Sequence, residues 1–444
     1  MKTRLLIVLG YLGMILVGAL VLMLPVSSAA HAWMKPGDAL FTACSAVCVT
    51  GLSVIDVGVE LSRFGQGVLI VLVQLGGLGT MTVGTFFLVL IGRRLSLANE
   101  FAVINAYGAK GVRGWRGLVL WVVLSTSAIE LAGMCALRAS APGQSWFRCY
   151  FYAVMAFCNA GFSLDPAGSL AAFQTRPLAL LTLAALLTLG GLGFLVLYNL
   201  CTIQFWRRNL VARGRLSFHT RVVLLGSLVL VVLALVCVFT AEWNGALEPY
   251  SLSEKLGVGI FQAVTPRTCG FTVIPIHELS PVTRFITAVL MFIGVAPGGT
   301  GGGIKVTTCA VFVLSILAIC RGRDAVTLFR RTVPEPVARE AIVIVTVFAL
   351  LVVLGMTVLL VSENRGGGEP VPFEALLFET ISAVSTVGLS CGTTTEALSP
   401  VGRAVIMVCM FCGRLGALAV VFLIGGRETA PSRIRFPKED LVVG

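Results

Sequence analysis

Long apolar segments alternate with shorter, less apolar segments along the whole chain. Residues 5–25, 68–92 and 341–361 carry no charged side chain. A helix of about 20 apolar residues spans the hydrocarbon core of a bilayer. The pattern therefore predicts an all-α integral membrane protein.

The same order of segments recurs four times. A long apolar segment precedes a shorter one that ends in Gly, then Leu or Phe, then Ser or Thr, and a second long segment completes the unit. The four glycines are Gly51, Gly161, Gly270 and Gly388, at intervals of 110, 109 and 118 residues. This period predicts four repeats. We place them at residues 1–95, 96–215, 216–325 and 326–444, the last with a C-terminal cytoplasmic tail.

The shorter segments have about 12 residues before the glycine, too few to cross a bilayer. Irregular backbone at membrane depth is tolerated only where it is buried in protein or faces a water-filled cavity. We therefore expect helix–pore-loop–helix units around a pseudo-four-fold central pore. This architecture has eight spanning helices plus four re-entrant pore helices.

Glycine allows unusual backbone angles, and rings of backbone carbonyl oxygens replace the hydration shell of potassium in selective pores. The segments around the four glycines are therefore predicted to form a filter that binds K+. The predicted filter residues are Cys48, Val49, Thr50, Gly51, Cys158, Asn159, Ala160, Gly161, Thr268, Cys269, Gly270, Ser385, Thr386, Val387 and Gly388. The alternative is that each glycine only ends a helix.

The second long segment of the third unit, residues 281–320, contains six Gly and one Pro between positions 294 and 303. Because Gly costs about 1 kcal/mol and Pro about 3 kcal/mol in a helix interior, this segment is expected to break into two halves. A broken helix beside an ion path can block or release it. The predicted gate consists of Gly294, Ala296, Pro297, Gly298, Gly299, Thr300, Gly301, Gly302, Gly303, Lys305 and Arg414. The alternative is a kink without a gating role.

Three basic residues lie in or beside these motifs, in surroundings of low polarity. Charges at membrane depth usually face a cavity or a partner. Arg414 is expected beneath the fourth filter segment, either as an electrostatic barrier that binds loop carbonyls or as an anchor without effect on flow. Lys305 is left open between a gating and a structural role. Arg267 would repel a cation at the pore axis, so we expect it behind the filter, paired with a carboxylate.

Several acidic residues are predicted on the outer side, where a negative vestibule would concentrate cations. They are Asp38, Asp56, Glu60, Asp165, Glu374 and Glu379. The alternative for each of them is an ordinary position on a solvated face.

The net charge is +12, although only 12% of the residues are charged. Lys and Arg concentrate at both termini and in residues 93–116, 207–221 and 321–339, and basic loops stay in the cytoplasm. Both termini are therefore predicted to be cytoplasmic. The basic face suits membrane lipid or a docking partner, and no nucleic acid is expected. The first 32 residues resemble a signal peptide, but their apolar run is longer than a signal core.

Enzymatic chemistry finds little support in the sequence. The chain has no GxxxxGK[ST] motif, so no nucleotide is expected on it and ATP is not the direct motor. Cys409 and Cys412 form a CxxC within a predicted spanning helix, where we interpret them as packing residues. Two alternatives remain: a membrane thiol oxidoreductase that uses this pair, and a membrane scaffold with a non-functional filter.

The stretches SAVCVTGLS, NAGFSL, RTCGF, PGGTGGGIK, STVGLS and GRLGAL resemble the Trk/Ktr/HKT superfamily of potassium transporters over nearly the whole chain. The chain is most similar to the KtrB branch, since it begins directly with the first unit. The resemblance implies potassium uptake across the cell inner (cytoplasmic) membrane, with the glycine-rich loop as gate and Arg414 beneath it. It also implies a homodimer with one pore per subunit, and a KtrA-like cytosolic regulatory ring that binds adenine nucleotides.

The resemblance also bears on ion choice. Plant relatives with Ser at the position of Gly51 tend toward sodium, so Gly51 favours potassium, with Na+ as a candidate activator. The chain departs from the superfamily at Cys48, where Thr is usual, at Pro266, and at Ala296 and Gly301 in the loop. Backbone carbonyls do not depend on these side chains, so potassium selectivity is expected to survive, and the departures bear on gating kinetics and sodium dependence.

Overall fold

The computed structural model describes residues 2–78, 114–165, 169–203, 216–323, 325–364, 371–392 and 398–416. This part of the chain is helical almost throughout. Its strands are β1 (Thr327–Leu328) and β2 (Arg331–Thr332), a short antiparallel pair. Its α-helices are α1 (Lys2–Met23), α2 (Pro36–Cys48), α3 (Val57–Glu60), α4 (Arg63–Gly77), α5 (Gly114–Ser140), α6 (Trp146–Cys158), α7 (Pro177–Leu192), α8 (Phe194–Thr202), α9 (Phe218–Glu242), α10 (Leu252–Val264), α11 (Pro281–Phe292), α12 (Val306–Cys320), α13 (Glu335–Glu363), α14 (Phe373–Val384) and α15 (Pro400–Leu415).

Helices long and apolar enough to cross a membrane are found at three places in the described residues: Val119–Ser140 within α5, α9, and α13. The pair α7 and α8 would form a fourth span, although it is bent by 97°. Shorter apolar helices are Val8–Met23 within α1, α4, α11 and α12. The protein is therefore a multi-pass membrane protein. The predicted continuation of the first unit's second helix beyond residue 78 lies outside the described residues.

The outer surface and the interior differ in the way that a bilayer requires. Leu228 on α9 and Leu354 on α13 are large apolar side chains exposed on the outside of the protein. The short helices α2, α6, α10 and α14 lie inside, and fully buried side chains such as Phe157 and Phe261 surround them. An exterior that exposes many large apolar side chains is typical of a surface that contacts hydrocarbon.

Each of the four short helices has 12 or 13 residues. Their first turns are fixed by local signals: Pro36 at the start of α2, a cap by Ser145 on α6, and a capping box of Ser251 and Glu254 on α10. Such signals satisfy the free backbone N–H groups of a first turn or pre-set its backbone angles. The sequence thus sets where these helices begin, and the glycine segments follow their ends.

Two long helices end on a glutamate that binds the start of the next long helix. Glu242 accepts hydrogen bonds from the backbone N of Ser280 (3.0 Å) and from its Oγ (2.6 Å). Glu363 does the same to Ser399, at 2.9 Å and 2.7 Å. The third and fourth units therefore share this connection, which joins their first and second long helices.

The second long segment of unit two, which the repeat pattern predicts as one spanning helix, is divided into two helices. Gly193 separates α7 from α8 with a φ of +84°. A Cβ atom at this position would lie 2.7 Å from the carbonyl oxygen of Pro297, so only glycine fits. The break arises because the glycine-rich loop of unit three packs here: Phe194 donates its N–H to Gly298 O at 3.1 Å.

Candidate functional site

Four glycines that follow the short helices approach one another in a closed cycle. A Cβ atom on Gly51 would lie 2.8 Å from Cα of Gly161, and one on Gly161 would lie 3.1 Å from Cα of Gly270. A Cβ on Gly270 would lie 3.1 Å from Cα of Gly388, and one on Gly388 would lie 3.2 Å from Cα of Gly51. We call this arrangement the glycine ring. No larger residue fits at any of its four corners without a backbone shift.

The backbone takes the same path at each corner. Every ring glycine has a positive φ, and so does the residue two positions before it: Val49, Asn159, Thr268 and Thr386. In units one and two, this earlier residue is itself the left-handed end of the helix. The alternative reading, in which the glycine only ends the helix, is therefore wrong for Gly51 and Gly161.

The carbonyl oxygens of the ring segments are unpaired. Across the described chain, those of residues 49–51, 159–161, 268–270 and 386–388 accept no hydrogen bond. These segments are almost wholly buried, and a buried carbonyl without a partner costs free energy. Side-chain oxygen atoms without a partner add to them: Thr50 Oγ1, Asn159 Oδ1, Thr268 Oγ1, Ser385 Oγ and Thr386 Oγ1. Unpaired, preorganised oxygen atoms are the ligands that a potassium-sized cation requires.

The glycine-rich loop, residues 293–305, packs directly against three of the ring segments. A Cβ atom on Gly301 would overlap the hydroxyl of Thr268 and lie 2.7 Å from its Cβ. One on Gly302 would overlap the hydroxyl of Thr386. Thr300 Oγ1 accepts a hydrogen bond from Asn159 Nδ2 at 2.8 Å. The loop thus contacts the segments of units two, three and four.

Backbone hydrogen bonds hold the loop in place. Gly294 donates its N–H to Ile304 O at 2.9 Å, which closes the loop on itself. Ala296 and Thr300 donate to Gly191 O and Gly190 O on α7, at 3.0 and 3.2 Å. The predicted break of the third unit's second helix is confirmed, since α11 ends at Phe292 and α12 begins at Val306. The break is a structured loop and not a free kink.

Both predicted gate cations bind carbonyl oxygens. Arg414, on the last turn of α15, donates from Nη1 to Thr300 O and from Nη2 to Gly76 O. Lys305 Nζ donates to Gly301 O at 2.7 Å and to Gly302 O at 3.4 Å. In the described residues neither has a carboxylate within ion-pair distance. Carbonyl oxygens are thus the partners that the described part of the chain offers to both side chains.

Arg267 is buried and binds a neighbouring long helix, and the described residues show no carboxylate partner for it. Its Nη2 donates to Ser227 Oγ on α9 at 3.0 Å, and the residue is 6% exposed. No acidic side chain among the described residues forms an ion pair with it. Within the described residues the predicted carboxylate partner is not found, and the neighbouring helix supplies a hydroxyl acceptor instead.

The predicted outer carboxylates serve local structure. Asp38 pairs with Arg403 at 2.9 Å, and Asp165 pairs with Arg148 and accepts from Tyr152 Oη at 2.8 Å. The others also have partners: Asp56 caps α3, Glu60 accepts from the N–H of Asp56, Glu374 lies 3.9 Å from Arg284, and Glu379 accepts from Ser390. These contacts favour the alternative in which each carboxylate is an ordinary structural residue.

The sequence interpretation missed a second set of glycines. A Cβ atom on Gly76, Gly190 or Gly413 would overlap the carbonyl oxygen of Val47, Phe157 or Val384, respectively. Each lets a long helix approach the end of a short helix. The signal is a repeated Gly-x-Leu-Gly at residues 76–79, 190–193 and 413–416. Arg414 occupies the x position of the last copy, where the other two copies have glycine. Because Gly413 lets α15 approach the end of α14, the neighbouring Arg414 side chain can reach the loop.

The thiol pair Cys409 and Cys412 is not a disulfide, and all thirteen cysteines are free. The described residues hold no cluster of His, Cys, Asp or Glu suited to a metal ion. Packing residues remain the interpretation of this pair.

Comparisons with known proteins agree with this arrangement. The TrkH family model, described as a cation transport protein, matches residues 13–425. The fold is similar to the crystal structure of the potassium transporter TrkH from Vibrio parahaemolyticus, with a TM-score of 0.72 and 18% identity, covering 95% of this chain and 84% of that one.

Curated relatives extend over nearly the whole chain. Ktr system potassium uptake protein B of Bacillus subtilis is 36% identical and covers 98% of this chain and 95% of the relative. The protein of the same name from Vibrio alginolyticus is 33% identical, with 99% and 94% covered. Potassium/sodium uptake protein NtpJ of Enterococcus hirae is 31% identical, with 99% and 96% covered.

The fold is that of a helical, multi-pass membrane protein whose short helices lead into the buried glycine ring. The chain belongs to the TrkH family of cation transport proteins. This membership confirms the expected superfamily. It also confirms that the chain is a transport protein and not an enzyme.

Proposed function

We propose that this chain takes up potassium ions across the cell inner membrane, passively and through the glycine ring. The observation that carries the proposal is the closed ring of four glycines with unpaired carbonyl oxygens at every corner. Potassium is large and loses its hydration shell at modest cost, so carbonyl oxygens can replace that shell. Two relatives that cover nearly the whole chain are named as potassium uptake proteins.

The proposed architecture is four helix–pore-loop–helix repeats, at residues 1–95, 96–215, 216–325 and 326–444. Eight helices span the membrane, and α2, α6, α10 and α14 are re-entrant pore helices. The same backbone path at all four corners supports a pseudo-four-fold axis through the ring. Both termini lie in the cytoplasm, following the distribution of Lys and Arg.

The proposed filter comprises the segments 48–51, 158–161, 268–270 and 385–388. The short helices end next to these segments, so their partly negative C-terminal ends favour a cation there. Selectivity rests on backbone oxygen atoms. The unusual side chain at Cys48, which is fully buried, therefore leaves potassium preference unchanged.

The glycine-rich loop is the proposed gate. It lies against three ring segments, and Arg414 fastens it to α4 through Thr300 and Gly76. Lys305 donates hydrogen bonds to two carbonyl oxygens of the same loop. Opening requires the loop to leave the ring, and release of the Arg414 contacts is part of that step.

The proposed regulation and assembly are based on the resemblance to the Trk/Ktr/HKT superfamily. The proposed unit is a homodimer with one pore per subunit, controlled by a KtrA-like cytosolic ring that binds adenine nucleotides. The Enterococcus hirae relative is named a potassium/sodium uptake protein, which supports Na+ as an activator or second ion.

The proposal is tested with purified full-length protein in liposomes. We expect K+ influx down its gradient without ATP, and growth rescue of a potassium-uptake-deficient bacterium at low potassium. Gly270→Val should abolish both, because the side chain would overlap Val387 O. Gly67→Val is the matched control, since a Cβ at that position meets nothing within 4 Å. Absence of potassium flux in folded wild-type protein contradicts the proposal, and flux that survives Gly270→Val contradicts the role of the ring.

A variant with Ser at Cys409 and Cys412 separates transport from thiol chemistry. Potassium uptake should persist in it at the wild-type rate. Loss of uptake in a folded variant would favour the oxidoreductase alternative.

A further inference from the structure

Two serine hydroxyl groups bind the backbone at adjacent corners of the glycine ring. Ser45 Oγ on α2 accepts a hydrogen bond from the N–H of Gly51 at 3.0 Å. Ser382 Oγ on α14 accepts one from the N–H of Gly388, also at 3.0 Å. Each serine is fully buried and stands six residues before its glycine. The two bonds are therefore equivalent contacts of units one and four, whose glycines are neighbours in the ring.

Each of these bonds fixes the direction of a whole peptide group. A peptide is planar and trans, so its N–H and its C=O point in opposite directions. The N–H of Gly51 points toward Ser45 on α2, and the oxygen of Thr50 in the same peptide therefore points away from that helix. For the same reason, the oxygen of Val387 in unit four points away from α14.

The two carbonyl oxygens directed in this way border the next glycine of the ring. A Cβ atom on Gly388 would overlap Thr50 O, and a Cβ atom on Gly270 would overlap Val387 O. Both oxygens are among the unpaired carbonyls of the proposed filter, and neither accepts a backbone hydrogen bond in the described chain. The serines therefore act on two of the proposed ion ligands without touching the ion.

The other two corners have no hydroxyl at the equivalent position. The residues six positions before the glycines of units two and three are Met155 and Val264. The carbonyl of unit two nevertheless takes the same place, since a Cβ atom on Gly51 would overlap Ala160 O. The serines thus restrain a carbonyl direction that the backbone path already favours, and they do so on one side of the ring.

We propose that Ser45 and Ser382 are positioning residues that determine the preference of the ring for potassium over sodium. Sodium is the smaller ion, so carbonyl oxygens must move inward to replace its hydration shell. A peptide whose N–H is bound to a short helix resists that movement, which favours potassium. This inference rests on the proposed transport function and adds two residues that determine ion choice.

The test is the ratio of K+ to Na+ influx by the full chain in liposomes. Ser45→Ala and Ser382→Ala each remove one acceptor, so we expect the ratio to fall about fivefold in each, the factor that loss of one hydrogen bond produces. The fall should come from a higher sodium influx, with potassium influx close to wild type. The variant with both changes should show a fall on the order of twentyfold if the two contributions add.

Thr42→Val and Thr380→Val are the matched controls on the same two short helices. Both hydroxyls are buried but donate to carbonyl oxygens of their own helix, Asp38 O at 2.8 Å and Leu376 O at 2.7 Å. These variants should keep the wild-type ratio, with any effect confined to thermal stability.

Ser382→Cys separates the lost acceptor from the lost volume. The thiol fills the space of the hydroxyl but is only a weak acceptor. The ratio should therefore fall as in Ser382→Ala, while the thermal midpoint in detergent stays closer to that of wild type.

Two outcomes overturn the proposal. One is a wild-type ratio in folded Ser45→Ala and Ser382→Ala. The other is an equal fall in the two threonine controls, which would show that any lost hydroxyl on a short helix has this effect. If the alanine variants do not fold, the ratio of Ser382→Cys decides in the same way. Absence of potassium influx in wild-type protein would instead contradict the proposed function, so the two failures are distinct.

Discussion

Asn159 Nδ2 donates a hydrogen bond to Thr300 Oγ1 at 2.8 Å, which joins the ring segment of unit two to the glycine-rich loop of unit three. The Thr300 hydroxyl in turn donates to Phe157 O at 3.1 Å. Both capacities of this hydroxyl are therefore used between two different repeats. The loop cannot leave the ring without breaking these two bonds, so we regard the pair as a latch on the closed loop.

Removal of the latch should increase ion flow. Thr300→Val keeps the shape of the side chain and loses both hydrogen bonds. Each of the two bonds is worth about 1 kcal/mol, so the population with a released loop should rise roughly thirtyfold. We expect a higher basal potassium influx into liposomes that contain no regulatory partner.

Thr42→Val is the control for this substitution. Thr42 is buried, and its hydroxyl bonds only to Asp38 O in its own helix, at 2.8 Å. Its basal influx should equal that of wild type. Basal influx that stays at the wild-type level in folded Thr300→Val would show that the latch does not hold the gate.

The ring glycines should determine ion choice. Gly51 has a φ of +92°, and a Cβ atom added to it would lie 2.8 Å from Cα of Gly161. A non-glycine residue in such a conformation costs roughly 1–2 kcal/mol, which the segment can relieve only by moving its carbonyls. Gly51→Ser should therefore lower the preference for potassium over sodium by about tenfold.

The measurement is the ratio of K+ to Na+ influx in the same liposomes. Gly67→Ser on α4 controls for the added hydroxymethyl group, because that position has open space. Unchanged selectivity in Gly51→Ser would mean that this corner of the ring does not contact the ion.

The ring was predictable because each corner depends on local sequence. A short helix that ends before Gly, followed each time by Leu or Phe and then Ser or Thr, specifies both the turn and the need for a residue without a Cβ. Gly51, Gly161, Gly270 and Gly388 were all identified in this way, and the structure brings them together. The break in unit three was predictable for the same reason, since six glycines and a proline oppose a helix.

Long-range partners could not be predicted. Arg414 reaches Gly76 across 338 residues of sequence, and Glu130 lies next to Cys158 only because α5 packs against α6. The bend at Gly193 depends on the loop of another unit pressing on it. For Arg267, depth in the membrane suggested an anion, but the packing of α9 supplied a hydroxyl. These contacts follow from tertiary packing, which no local pattern encodes.

The contact between the glycine-rich loop and the ring can be tested by one substitution in the loop and one in a ring segment. Gly301→Ala places a Cβ atom 2.7 Å from Cβ of Thr268 and onto its hydroxyl, so the loop must move away from the ring. We expect basal influx to rise several-fold. Thr268→Gly removes the obstructing atoms and suits the positive φ of +66° at that position.

The variant with both changes should therefore regain low basal influx. Gly298→Ala is the control for the loop, because a Cβ at that position meets nothing within 4 Å, although its φ of +73° adds some strain. Effects of Gly301→Ala and Thr268→Gly that simply add would contradict direct contact between the loop and the ring.

Substitution of Arg414 tests whether this residue is a barrier to ion flow or a structural anchor. Its guanidinium holds Thr300 O and Gly76 O and carries a buried positive charge beside the loop. Arg414→Ala removes both the charge and the tie to α4, so we expect potassium influx to rise roughly thirtyfold if each of the two lost contacts contributes about 1 kcal/mol. Arg403→Ala is the control on the same helix, where the arginine pairs with Asp38 near the other end. Its influx should match wild type. Wild-type influx in Arg414→Ala, together with a lower thermal midpoint in detergent, would make Arg414 a structural anchor without a role in ion flow.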